Sequence, residues 1–277
     1  MAVDIAGVLQ EALPYINYFV GKTVVVKMGG SALSSEHTVL QDIIWLKNLQ
    51  VNVVLVHGGG DDISNWLKRI GKDSKTVKGL RVTDEETMEV VKMVLVGKVQ
   101  QELVAAINGL GGEAVGISGL DGKLFECERY TGEGDLGLVG RIKRVNLRPV
   151  TAALNEGYIP VVTPVGFGEG GVVYNINADL GAGELAAALR AEKLIFLTDV
   201  IGICDKDGQL ISELNVNQVP ELVNENVLTG GMLPKVEAAG RALERVKRVH
   251  IIDGRVPHAL VRELFTDKGV GTMVVRS

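Results

Sequence analysis

Thr23-Val24-Val25-Val26-Lys27-Met28-Gly29-Gly30-Ser31 decides how the rest of the chain is read. Its β-branched run predicts a strand buried on both faces, and it ends in a lysine and a glycine pair that only a turn accommodates. A charge is thereby set at a strand's carboxyl end. In open α/β sheets this edge is where ligands bind, and a Gly-Gly turn leading into a helix lets bare backbone N–H groups approach an anion. The same pattern returns at Val53-Val54-Leu55-Val56-His57-Gly58-Gly59-Gly60, where a second apolar strand runs into three glycines and a helix. Two such loops predict one phosphate-sized ligand held between them.

Upstream, Ile5, Val8, Leu9, Ala12, Leu13, Ile16 and Phe19 recur at three- and four-residue spacing, the apolar stripe of a helix over residues 4–19. That helix either docks on its own domain or serves as an arm for a partner subunit. Downstream, helix 36–49 follows the first glycine turn, so strand, turn, helix, strand begins a parallel sheet with right-handed crossovers. A third helix runs through Ile63 and Leu67 and stops near Gly71. Thr83 or Asp84 then caps a long helix reaching about Asn108, with Glu85 and Glu86 in its first turn. Arg81 lies just ahead of that helix start, where a guanidinium is either solvated or a carboxylate clamp.

Residues 118–145 are glycine-rich and hairpin-like, and read as a small antiparallel excursion serving as a lid. Helix 147–156, strand 159–162 and strand 172–174 follow, and the last delivers Tyr174-Asn175-Ile176-Asn177-Ala178-Asp179 into a helix over 180–190. The final third is a strand ending at Thr198-Asp199, a hairpin at 205–208, a helix near 216–223, the loop Thr229-Gly230-Gly231-Met232-Leu233-Pro234-Lys235 opening a helix over 235–245, and strand 248–252, helix 257–265 and strand 271–275.

Composition bounds the function. With 277 residues, 46% of them hydrophobic, the chain buries a full core as one large α/β domain or two lobes sharing a sheet. A net charge of −5 gives no support for nucleic-acid binding. Two cysteines in unrelated contexts indicate neither a disulfide framework nor a zinc site, so no metal ligands are assigned and a reducing cytoplasm is the expected compartment. No apolar run approaches the roughly 20 residues that span a bilayer, and no membrane association is expected.

The glycine loops are not those of common nucleotide binders, because neither G-x-x-x-x-G-K-[ST] nor G-x-G-x-x-G occurs at them. What gives them weight is company: Lys27 at the first, Lys235 after another Gly-Gly, and Asp179 at a helix start. Taken singly, Asp179 reads as an N-cap, the lysines as solvated and His57 as a core or turn histidine. Taken together, they suit transfer of a terminal phosphoryl group, whose transition-state charge needs cations on both sides.

The strings VVVKMGG, VLVHGGG, NGLGG, YNINAD, LTDV and TGGMLPK resemble the amino acid kinase family along essentially the whole chain. KGLRVTDEETMEVVKMVLVGKV, NINAD and HIIDGRVPHAL resemble in particular the branch that phosphorylates N-acetyl-L-glutamate. The resemblance implies an α/β fold, a three-layer αβα sandwich around a mostly parallel eight-stranded sheet. It implies an N-terminal oligomerisation helix at 1–20, an amino lobe at 21–175 that binds the acyl amino acid and dimerises, and a carboxyl lobe at 176–277 for the nucleotide. ATP with Mg2+ and N-acetyl-L-glutamate are the implied substrates, in the second step of arginine biosynthesis.

Residue by residue, the resemblance gives Lys27 and Lys235 the transferring phosphoryl and Asp179 the task of organising both lysines. Gly29, Gly30, Gly59 and Gly60 would supply N–H groups, Gly59 and Gly60 also touching substrate. Arg81 would clamp a carboxylate, Asn175 would hold the acylated amino acid, and Thr198 and Asp199 would lie on the nucleotide side. Asp61-Asp62 departs from the proline and glutamate or glutamine of many relatives, and is expected to face solvent. The stretch EALPYINYF resembles the extension of arginine-sensitive relatives, implying a homohexamer built as a trimer of dimers and inhibition by L-arginine bound near Tyr15, Glu263 and Gly269. Two other readings stay open: a sister kinase for an aminoadipate derivative, and a non-catalytic amino acid or nucleotide sensor on the same fold.

Overall fold

The computed structural model describes residues 5–29, 37–132, 134–266 and 269–276. The chain opens with helix α1 (Ile5–Phe19), and the quoted stretch forms β1 (Thr23–Met28). Then come α2 (His37–Asn48), β2 (Asn52–His57), α3 (Gly60–Arg69), the two-residue strands β3 (Thr76–Val77) and β4 (Leu80–Arg81), and α4 (Glu85–Lys92). A π-helical segment, Met93–Val99, joins α4 to α5 (Gln100–Gly109). The middle contains β5 (Ala114–Ser118), β6 (Phe125–Arg129), β7 (Gly140–Val145), α6 (Arg148–Asn155), β8 (Ile159–Thr163), β9 (Val165–Phe167), β10 (Val173–Asn175) and α7 (Ala178–Leu189). The chain closes with β11 (Lys193–Thr198), β12 (Glu213–Asn215), α8 (Val219–Asn224), α9 (Met232–Ala242), β13 (Arg248–Asp253), α10 (Ala259–Phe265) and β14 (Gly271–Val275).

Eight strands form one sheet in the order β12-β14-β13-β11-β1-β2-β8-β5, parallel except where β13 meets β14. β1 pairs in parallel with β2 on one side and β11 on the other. The chain therefore builds outward from β1 in one direction, then crosses back to build in the other. The carboxyl end of β1 is the topological switch point, where helices on the two sides diverge and leave a crevice.

Alternate side chains of β1 feed different cores. Val24, Val26 and Met28 join the cluster under α2, α3, α5 and α10, whereas Val25 joins the one under α6, α7 and α9. This gives the three layers that the sequence implies, and it explains why the central strands lack a polar-apolar alternation. Each fully buried valine, leucine or phenylalanine here contributes roughly 1.5–3 kcal/mol.

Two sequence expectations need correction. The segment 118–145 is not an isolated hairpin: β6 and β7 belong to a four-stranded sheet ordered β10-β9-β6-β7, with β6 and β9 parallel. The cavity at the switch point is lined by the β3–β4 hairpin, through Thr76, Gly79, Leu80 and Arg81, as well as by Val139 of this segment. Helix α9 begins at Met232, so Lys235 sits inside its first turn rather than at its start. The stripe on α1 is only partly covered: Phe19 is buried, but Val8 and Leu13 are about half exposed at 56% and 50%.

Candidate active site

Lys27 precedes the end of β1, and the alternation of that strand aims its side chain at the face covered by α7. There Lys27 is buried, 7% exposed, with its Nζ 2.8 Å from Asp179 Oδ1. Asp179 lies in the first turn of α7 but does not cap it. Asn177 does, accepting hydrogen bonds from the N–H groups of Asp179 (2.9 Å) and Leu180 (3.1 Å). The Asp179 carboxylate is thereby left to receive Lys235 Nζ, which donates to Oδ2 at 3.1 Å. Burial pushes the Asp179 carboxyl up, but Lys27 and Lys235 outweigh it and hold the group below its ordinary value. One buried anion thus fixes two cations at the switch point.

Lys235 reaches this point because α7 and α9 pack closely. A Cβ added to Gly183 would lie 2.9 Å from the Ala238 carbonyl oxygen, so only glycine allows this approach. The contact falls one turn beyond Asp179 and Lys235 along their respective helices.

The second glycine loop faces the same crevice. β1 and β2 are in register, with Met28 beside His57, so Gly29 and Gly58 leave the sheet together. A Cβ at Gly59 would meet Leu95 Cδ2 at 2.5 Å, which explains glycine there by packing against the π-helical segment. In that segment the Gln100 N–H bonds back to Leu95 O, five residues earlier, and such widened turns are frequent at functional sites. α3 starts at Gly60, so its first N–H groups lie at this edge. His57 is neutral, its ring pulled down to about 4 by burial and by the nearby Lys27 charge. Its Nδ1 lies 2.9 Å from Gly58 O and its Nε2 2.7 Å from Thr163 Oγ1.

A cavity of about 210 Å³ occupies the crevice, lined by Lys27, Gly29, Gly59, Gly60, Arg81, Asn175 and Asp179. Ile63, Leu80, Leu95, Val139 and Ile176 add apolar surface. Arg81, on β4, is held by Gly60 O (2.7 Å), Ser64 Oγ (3.0 Å) and Ser74 Oγ. Burial lowers its affinity for a proton, and Asp61 partly offsets this. Asp61 is exposed as expected, but Asp62 is not left to solvent: it pairs with Lys98 at 2.9 Å.

Thr198 and Asp199 reach the same sheet edge without lining this cavity. The Thr198 hydroxyl folds onto Val200, accepting from its N–H at 2.9 Å, and Asp199 is exposed. Gly30 lies outside the described residues.

Tyr15 and Glu263 line a different cavity, of about 610 Å³, between α1 and the carboxyl-terminal part of the sheet. The Glu263 carboxylate meets His250 Nδ1 at 2.6 Å and Lys193 Nζ at 3.2 Å, and accepts from the Val270 N–H at 3.2 Å. Gly269 stands directly beside it. Sequence reasoning gave no role to Lys193, which carries no motif, or to His250, which opens the string HIIDGRVPHAL; both lie in strands. Among the described residues, no helix is long and apolar enough to cross a membrane.

An open αβα sandwich with paired lysines, a shared aspartate and glycine turns at its switch point defines a class of phosphoryl-transfer proteins. The sequence matches the amino acid kinase family over residues 22–253, and the chain belongs to that family and is a kinase. It is 51% identical over 276 residues to the acetylglutamate kinase of Thermoanaerobacter pseudethanolicus, covering 97% of this chain and 92% of that one. It is 53% identical over 286 residues to the acetylglutamate kinase of Pelotomaculum thermopropionicum, with 97% of each chain covered. Among solved structures it resembles N-acetylglutamate synthase from Neisseria gonorrhoeae complexed with coenzyme A and N-acetyl-glutamate, with a TM-score of 0.88 and 27% identity. That match covers 99% of this chain but only 64% of the synthase. Carbamate kinase from Giardia lamblia, at 16% identity and a TM-score of 0.63, shares the fold.

Proposed function

We infer that this kinase transfers the γ-phosphoryl group of ATP, delivered as its Mg2+ complex, to the γ-carboxylate of N-acetyl-L-glutamate. The products are N-acetylglutamyl 5-phosphate and ADP. The observation that carries the reading is the Lys27–Asp179–Lys235 cluster, in which Lys27 and Asp179 line the same cavity as Arg81 and Asn175 and Lys235 is held to it through Asp179. The relatives that are about half identical over nearly their full length support the choice of acceptor.

The chemistry needs no general base. A side-chain carboxylate with an ordinary pKa near 4.3 is already ionised at neutral pH. One of its oxygens attacks the γ-phosphorus as the bond to the β,γ-bridging oxygen breaks, and ADP carries that electron pair away. Lys27 and Lys235 stabilise the negative charge on the moving group, and Asp179 keeps the two ammonium groups close without either being repelled. Gly29, Gly59 and Gly60 donate backbone N–H groups, Arg81 binds the α-carboxylate, and Asn175 orients the acylated amine. Residues 21–175 serve the acyl amino acid and 176–277 the nucleotide, with Thr198 and Asp199 on its side.

The reading extends to regulation in the cytoplasm. L-Arginine binds between α1 and the carboxyl lobe, where Tyr15 offers a ring, Glu192 and Glu263 offer carboxylates, and Gly269 leaves room. The half-exposed Val8 and Leu13 on α1 meet a second copy, joining dimers into a hexamer.

ADP release measured with ATP, Mg2+ and a panel of N-acetyl-L-glutamate, N-acetyl-L-aspartate and N-acetyl-L-2-aminoadipate tests the acceptor. Turnover highest with N-acetyl-L-glutamate is expected; a preference for the longer acid would replace the reading with the sister kinase.

A further inference from the structure

Three residues, Val82, Thr83 and Asp84, stand between Arg81 on β4 and the start of α4. Asp84 caps the helix, accepting from the Thr87 N–H at 2.8 Å, so its neighbour Thr83 has no capping task. Yet Thr83 is completely buried, and its hydroxyl makes two hydrogen bonds. It donates to the carbonyl oxygen of Arg81 at 2.7 Å and accepts from Asn175 Nδ2 at 3.1 Å.

The directions of these bonds follow from the groups themselves. A carbonyl oxygen only accepts, so the single hydroxyl proton of Thr83 is committed to Arg81. Toward Asn175 the hydroxyl then offers only a lone pair, and the carboxamide must turn its nitrogen to it. With the nitrogen held, the amide oxygen and the remaining N–H are fixed as well. The backbone is pinned just as closely: Thr83 N–H donates to Leu136 O at 2.9 Å, Leu138 N–H to Thr83 O at 2.6 Å, and Asn175 N–H to Leu138 O at 2.8 Å. Three chain segments, separated by dozens of residues, meet at one residue that lies outside the cavity lining, those of Arg81 and Asn175 through its hydroxyl and that of Leu136 and Leu138 through its backbone alone.

We propose that Thr83 is a positioning residue for the substrate clamp, its hydroxyl fixing the Arg81 backbone and the Asn175 carboxamide relative to one another so that they receive the acylated amino acid in one orientation. The proposal rests on the acceptor-binding roles given above to Arg81 and Asn175. Valine has nearly the shape of threonine and lacks the hydroxyl. Thr83→Val should raise the KM for N-acetyl-L-glutamate about tenfold, the order of one lost hydrogen bond, while kcat and the KM for ATP stay within about twofold. Thr83→Ser, which restores the hydroxyl without the methyl, should return the KM to within about twofold of the parent value.

Equal rises in both KM values in Thr83→Val, no rise in either, or a serine variant as impaired as the valine variant would overturn the proposal. If thermal melting shows that Thr83→Val does not fold, Thr83→Ala compared with Thr83→Ser makes the same comparison across a single oxygen. Turnover of N-acetyl-L-glutamate by the parent enzyme separates the two levels. With parent turnover present, an absent split defeats the Thr83 role alone; with it absent, the acceptor reading fails and takes the Thr83 role with it.

Discussion

Gly183 on α7 packs against Ala238 on α9, and this contact sets the distance at which Lys235 meets Asp179 one turn away. In Gly183→Ala the new methyl would sit 2.9 Å from the Ala238 carbonyl oxygen and 3.2 Å from its Cβ, forcing the helices apart. Alanine is also the better helix former, by roughly 0.5–1 kcal/mol, so the substitution need not unfold the protein. We predict a folded variant whose kcat falls on the order of 10- to 100-fold as Lys235 retreats, read by steady-state kinetics beside a thermal melt. Unchanged kcat would mean that this helix contact does not set the lysine.

The cluster around Asp179 makes unequal demands on its members. Lys27→Ala and Lys235→Ala should each lower kcat by on the order of 10²- to 10³-fold, the cost of one donor aimed at developing charge. Asp179→Asn should in addition destabilise the fold by about 3 kcal/mol, because it strands the buried Lys27 ammonium without its counter-charge. Denaturant melts of the three variants check the contrast, and an Asp179→Asn as stable as the parent would contradict it.

His57 predicts a pH dependence of stability. Its folded value of about 4 lies below the ordinary 6.5, so below pH 6.5 the unfolded chain takes up a proton that the folded chain refuses. Stability is therefore retained above pH 6.5 and lost as pH falls toward 4, by about 3 kcal/mol in full. Urea melts at pH 7.5 and 4.5 should show His57→Gln losing less stability than the parent; parallel losses would assign the acid sensitivity elsewhere.

Removal of residues 1–20 should leave an active enzyme of smaller assembly size that no longer responds to L-arginine. Size-exclusion chromatography and ADP release with and without arginine check this. Undiminished inhibition in the truncated protein would sink the regulatory part of the reading.

What could be read in advance was what strand patterning and glycine turns announce. The Val24–Val26 and Val53–Val56 runs led directly to neighbouring central strands, because residues buried on both faces leave a continuous apolar signature. Lys27 and Lys235 stood out as charges beside glycine pairs. Asp179 was harder, since a carboxylate at a helix start is usually a cap; the asparagine two residues earlier was the signal that the cap was already filled. The β3–β4 hairpin was illegible because its strands are two residues long and its turn puts Lys78 at φ 46° and Gly79 at φ 80°, a geometry that Asn-Gly normally advertises. The π-helical stretch was illegible too, for an apolar run such as Val94-Leu95-Val96 fits either helical period. Thr83 gave no signal, because a threonine before an aspartate at a helix start reads as part of the cap.

Phosphorus NMR of the protein with ATP, Mg2+ and N-acetyl-L-glutamate follows the migrating group itself. The account predicts that the γ-phosphate signal declines as ADP and an acyl phosphate appear in equal amounts, and that hydroxylamine removes the latter. ADP accompanied only by inorganic phosphate, with hydroxylamine trapping nothing, would contradict phosphoryl transfer to the carboxylate.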